Sequence, residues 1–239
     1  MTSSGQICTY CLKPTDDPTD DHVLPEAWYT QDTVGSKPTV LAGRDRNEAH
    51  GRSEARLLKT LGFCFGFSDE RALGIGEKVA RSVNPAAGKS PKDMAHRAAA
   101  HRKLGTLMIP ADKADSKITI PGFGPDPTNP SGVAMKFDGR DLWWLSEKMA
   151  RGFTRIDTGK LIGDNFAFGF YLPGEDELPP ILEMIEAGGS VFERLPSLRV
   201  VTRREMSDPL EAFFAFQIWS RRLNLIVSVT PTSGTVPTA

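Results

Sequence analysis

Cysteine and histidine are both scarce in this chain of 239 residues: there are three cysteines, Cys8, Cys11 and Cys64, and four histidines. An odd, small cysteine count suits a reducing compartment better than a disulfide framework, so the expected location is cytoplasmic. No run of eighteen apolar residues occurs, and the start, MTSSGQICTY, has neither the charged nor the apolar region of a secretory signal. Membrane insertion and export are therefore not expected. Net charge is also nearly absent, at -1, which leaves any polyanion-binding surface to local clusters. With 39% apolar and 25% charged residues, the composition is that of an ordinary folded protein.

What is present is organised in two halves. In the first, DHVLPEAWY and the stretch around Thr39–Ala42 read as short strands, and NEAHGRSEARLLKTLG reads as a helix with Asn47 as N-cap and Gly62 at its end. Residues 70–104 read as helical, broken by the punctuation of NPAAGKSP. Ile118 and Ile120 alternate ahead of a proline- and glycine-rich run from Pro121 to Gly132, and a boundary is expected between 105 and 120. In the second half DLWWLSEKMARGF is an amphipathic helix ending near Gly152. NFAFGFYL, SLRVVTRR, AFFAFQIWSR and LNLIVSVTP read as strands, LPPILEMIEAG as a helix, and the tail TPTSGTVPTA as frayed. Trp143, Trp144, Phe213, Phe214 and Phe216 are expected in a core or subunit interface. The fold class is α+β, with a C-terminal α+β domain built on an antiparallel sheet.

The histidines supply the chemistry. His22 follows Asp17, Asp20 and Asp21 and precedes Pro25; Cys8 and Cys11 form a Cys-x-x-Cys turn upstream; Asn47 and His50 lie three apart on one helical face. Taken singly, each has a duller explanation: an incidental turn, a surface ion pair, an ordinary N-cap. Their order, C8-T-Y-C11, D21-H22-V-L-P25, then G43-R-D-R46-N47-E-A-H50, resembles the HNH endonuclease family with its ββα-metal fold over roughly the first quarter of the chain. EKMARGFTRIDTGK is similar to the downstream part of some of its members.

That resemblance implies three parts: a ββα-metal domain at 1–68, a basic helical extension at 69–110, and the α+β domain at 111–239, which would serve recognition, homodimerisation or regulation. It implies a phosphodiester hydrolase acting on DNA, with RNA chemically admissible. His22 would be the general base, Asp21 and Asn47 (with His50) would hold a magnesium or manganese ion, and these four would be the catalytic set. A neutral imidazole can deprotonate water near working pH, and a hard cation takes oxygen ligands while neutralising charge on the phosphate.

One departure is serious. Gly43 and Arg46 stand where the family has its second cysteine pair, so Cys8 and Cys11 would be a relic or a residual zinc site, not a closed four-cysteine one. Arg44, Arg46 and Arg52, with Arg97, Arg102 and Lys103 of the basic stretch Lys78–Lys103, are the expected phosphate contacts. The competing expectation is a catalytically inactive module that kept the fold and binds nucleic acid or another protein.

Overall fold

The computed structural model describes residues 5–64, 70–110, 113, 133–174 and 176–232. The chain opens with two short paired strands, β1 (Gln6–Ile7) and β2 (Pro14–Thr15), around the Cys8–Cys11 turn, where Leu12 takes a left-handed φ of 61°. A hairpin follows, β3 (Pro18–His22) against β4 (Thr39–Gly43), antiparallel, with Asp21 opposite Val40. Helix α1 (Arg44–Phe63) leaves β4 directly. The order strand, strand, helix is as expected, but the first strand is Pro18–His22 and not residues 21–29, where Pro25 leads into a 3-10 turn at Glu26–Trp28, and the helix begins at Arg44. Asn47 is therefore not its N-cap: that position is Gly43, and Asn47 lies within the first turn.

Helices α2 (Ile75–Val83) and α3 (Pro91–Leu107) come next, the latter capped by the Ser90 hydroxyl, which accepts from the Asp93 N–H at 3.2 Å. Strands β5 (Met108–Pro110) and β6 (Val133–Met135) pair antiparallel. The expectations for Ile118, Ile120 and the Pro121–Gly132 run lie outside the described residues.

Helix α4 (Gly139–Thr158) runs six residues past the expected stop at Gly152 and ends at Gly159, whose φ of 70° suits a left-handed cap. Beyond it, β7 (Phe166–Tyr171), β8 (Ser190–Arg194), β9 (Leu198–Arg204), β10 (Ala212–Ile218) and β11 (Leu223–Pro231) form one antiparallel sheet in the order β7-β11-β10-β9-β8, with α5 (Leu178–Glu186) on one face. The strand β8 was not foreseen. Thr230 and Pro231, which fell in both the expected strand LNLIVSVTP and the expected frayed tail, belong to β11; Thr232 follows it, and residues 233–239 lie outside the described residues.

Period-two alternation sorts the sheet. Phe214, Phe216 and Ile218 of β10 enter the main core, whereas Ala215 turns to the other face with Leu182 and Ile185 of α5. Phe213 packs partly buried on that second face, while Trp143 and Trp144 are about two-fifths exposed rather than core. The main core is continuous from Cys8 and Trp28 to Val229. Its largest joint is Trp28 stacked on Trp219, with ring centroids 5.0 Å apart, where the Trp219 Nε1–H donates to the Trp28 carbonyl at 2.7 Å. Among the described residues no helix is long and apolar enough to cross a membrane.

The glycines of two helices test this packing. A Cβ on Gly152 of α4 would sit 2.6 Å from the Val23 side chain, whereas one on Gly51 of α1 would meet nothing within 4 Å. Gly152→Ala is expected to destabilise by about 1–3 kcal/mol through overpacking. Gly51→Ala is expected to stabilise by about 0.5–1 kcal/mol through helix propensity. Urea midpoints of the two variants moving in opposite directions would verify both.

Candidate functional site: a buried charged cluster behind the hairpin

Because side chains alternate along a strand, Asp21 and His22 leave β3 on opposite sides. Asp21 points inward, only 5% exposed, toward α1 and α4. His22 is half-buried on the other side, its Nε2 3.8 Å from Glu26 Oε2. Asn47 turns to neither, and its Nδ2 lies 3.5 Å from the Asp20 carbonyl. Of the groups foreseen in the sequence, His22 therefore leaves β3 on the side opposite Asp21, and Asn47 has its amide nitrogen at the Asp20 carbonyl.

His50 does join Asp21. One turn beyond Asn47 on α1, it is buried, with Nδ1 3.7 Å from Asp21 Oδ2 and its ring edge-on to Tyr10 at 4.8 Å and Trp144 at 5.6 Å. The centre of the cluster is a residue outside the Cys-x-x-Cys, Asp-His and Asn-His pairs. Lys148 of α4, 2% exposed, places Nζ 3.0 Å from Asp21 Oδ1, donates also to Glu54 Oε1, and stands 5.8 Å over the Tyr10 ring. An ammonium so placed compensates two carboxylates within an apolar surround.

The electrostatics follow from that burial. Burial pushes the Glu54 carboxyl above its ordinary value, and the Lys148 ammonium opposes the shift without cancelling it. Burial, with the charges of Asp21 and Glu54 adding to it, pushes the Tyr10 phenol well above its ordinary value and keeps it neutral. Asp21 Oδ2, His50 Nδ1 and the Tyr10 hydroxyl are all buried, and Asp21 acts on both neighbours, by charge and hydrogen bonding on the Tyr10 phenol and at 3.7 Å on His50.

A hard divalent ion does not fit these residues. One Asp21 oxygen already holds an ammonium, which would repel a second cation at that carboxylate. Beside His50, Glu54 and Lys148 the space left between α1 and α4 is about 10 Å3, and Asp21 does not line it. Among the described residues no set of three or more His, Cys, Asp or Glu side chains is arranged to hold a metal.

The cysteines form a separate site. Cys8, Cys11, Gly43 and Arg46 line one cavity of about 400 Å3, so the position of the missing cysteine pair does face the surviving one. Burial raises the Cys8 thiol, but hydrogen bonds from the backbone N–H groups of Gly43, Cys11 and Tyr10 outweigh it and lower the pKa. Cys64 is not among that cavity's lining; its thiol donates to the Thr60 carbonyl and is pushed up to about 11, chiefly by burial.

The expected phosphate contacts are divided. Arg44 pairs with Asp17 at 2.6 Å and Arg97 with Asp93 at 3.0 Å, Arg46 lies 5.9 Å over the Trp144 ring, and Arg102 is exposed. Arg44 and Arg46 share the cavity at the cysteine turn, and Arg52 and Lys103 a groove between α1 and α3.

Glu54, Tyr10, Trp144 and Lys148 were not singled out for this site from the sequence. Lys148 had a signal: with Leu145 three residues before and Met149 just after, it lies on the buried stripe of an amphipathic helix, where a lysine needs a partner. Its partner Asp21 is 127 residues away, and no local pattern joins them. No protein-family model, curated protein or solved structure matches the chain.

Lys148→Met would leave two carboxylates behind the hairpin without their cation and is expected to cost about 3–5 kcal/mol. Adding Asp21→Asn and Glu54→Gln to it is expected to recover most of that loss, and urea denaturation of the single and triple variants provides the comparison. A second expectation concerns pH. With the folded-state pKa of Glu54 raised, its contribution to stability is present below the ordinary carboxylate pKa and is lost as pH rises through the raised value. Glu54→Gln should remove that loss, seen as a smaller fall in unfolding free energy between acid and neutral pH than in the parent chain.

Proposed function

We propose that the chain is a non-catalytic binding module built on an HNH-like hairpin and helix, in which an internal lysine supplies the positive charge that a divalent ion would supply in a nuclease. The observation that carries this reading is Lys148: its ammonium is bound to Asp21 and Glu54 at the back of the hairpin, where it neutralises the acid that a metal would need. Hydrolysis of a phosphodiester by a one-metal route needs the base, the metal oxygens and the scissile phosphate on one open surface. Here the acid is sealed, the histidine beside it faces away, and the asparagine is turned toward the backbone.

The same reading gives the N-terminal cysteine turn a packing role. Cys8 is wholly buried and belongs to the main core, and Thr9 donates its N–H to the Leu41 carbonyl of β4 at 3.0 Å. The turn therefore holds β4 in place by burial and hydrogen bonding.

Supercoiled plasmid incubated with the purified chain and magnesium, manganese or nickel provides the test. No nicking above background is expected, and none that differs between the parent chain and His22→Ala. Metal-dependent nicking that disappears in His22→Ala would restore the nuclease assignment, with His22 as its base.

A further inference from the structure

Away from the charged cluster, α1 and α3 leave an open groove of about 970 Å3, bordered also by the residues that lead into α4. That volume lies at the upper end of the range of roughly 300–1,000 Å3 that holds one small molecule. Its lining is largely apolar, from Ala55 on α1, Ala99, Ala100, Leu104 and Leu107 on α3, and Phe137.

The charges around this apolar surface are unbalanced. Arg52, Lys59, Lys103 and Lys136 line the groove, and none has a side-chain hydrogen bond or ion pair among the described residues. Of the three acids that line it, Asp138 is bound to Arg140 and Asp141 to Arg56, which leaves Glu48. Gly51 adds an independent sign: it stands within α1 on the groove wall, where a Cβ would meet nothing. A glycine inside a helix lowers helix stability, and packing does not require one here. Its effect is to keep the wall low.

We infer that this groove binds a compact anion with an apolar body, a medium-chain acyl or aryl carboxylate, whose body lies on the alanine and leucine face of α3 and whose charge lies among Arg52, Lys59, Lys103 and Lys136. A nucleic-acid duplex would engage these cations through its phosphates and leave the apolar surface wet. A single amphiphile covers both. The inference extends the reading of the chain as a binding module by naming what it binds.

The test titrates the full chain with the apolar anion 1-anilinonaphthalene-8-sulfonate, then displaces it with decanoate and, separately, with a short single-stranded oligonucleotide. One saturable site is expected, displaced by decanoate and not by the oligonucleotide. Gly51→Leu and Ala100→Trp, which fill the groove from opposite walls, should each weaken decanoate by about tenfold or more while far-UV circular dichroism stays that of the parent. Should one of them misfold, the other decides. Lys59→Gln with Lys103→Gln should weaken decanoate but leave the neutral analogue decanol unchanged. Binding without saturation, displacement by the oligonucleotide alone, or decanoate affinity indifferent to the groove-filling variants would overturn the inference. The plasmid assay is read separately: nicking together with decanoate binding would remove the non-catalytic reading and leave this site standing, and absence of both would remove only this site.

Discussion

The ammonium of Lys148, shared between Asp21 of the hairpin and Glu54 of α1, is the contact on which the arrangement of the two halves turns. It lies on α4, and α4 is the element that both halves use. On one side the helix meets the hairpin through Lys148 and through the close approach of Gly152 to Val23, and it meets α1 through the bidentate Arg56–Asp141 pair. On the other, Phe153 packs against Phe192 and Phe216 of the sheet, while Arg204 of β9 reaches Asp157 at 3.0 Å. A helix with partners on both sides cannot rotate to favour one without losing the other. The position of the ammonium relative to Asp21 is therefore set by the sheet as much as by the hairpin.

Much of the architecture was legible because it rests on short-range pattern. Strands β9, β10 and β11 announce themselves by alternating large apolar residues, and β7 by its phenylalanines, so an antiparallel sheet could be foreseen. The strand β8 could not, because SVFER carries only two apolar side chains and is an edge strand with charged residues at its end. The start of α1 was placed late for a related reason. Asparagine is a good N-cap by propensity, yet here β4 runs straight into the helix and Gly43 takes the cap, so the tertiary connection overrides the local preference.

The site was less legible than the fold, and the difference is physical. An acid followed by a histidine in a strand fixes only that the two side chains point opposite ways; what each meets depends on elements elsewhere in the chain. Asp21 meets α1 and α4, and the decisive neighbour is a lysine from the far half. A sequence motif records residue order, whereas the charge around a carboxylate is a property of the assembled interior. His50 does come within 3.7 Å of Asp21, because β4 pairs with β3 and feeds straight into α1. The basic residues show the same limit: Arg44 and Arg97 read as phosphate contacts along the chain, but in three dimensions each already has an aspartate.

Why the interior keeps charges at all has an energetic side. Removing two carboxylates and an ammonium from water costs several kcal/mol per ion, roughly, and pairing offsets it only when geometry is good, so an apolar trio of similar volume would serve stability at least as well. What an apolar trio lacks is direction. Contacts between leucines are non-directional, whereas those of Lys148 with Asp21 and Glu54 are charge-assisted hydrogen bonds with a preferred geometry. The buried polar atoms of Asp21, His50 and Tyr10 belong to the same cluster. They sit among Trp144, Tyr10 and α4, and the Lys148–Asp21 contact ties the hairpin to that helix.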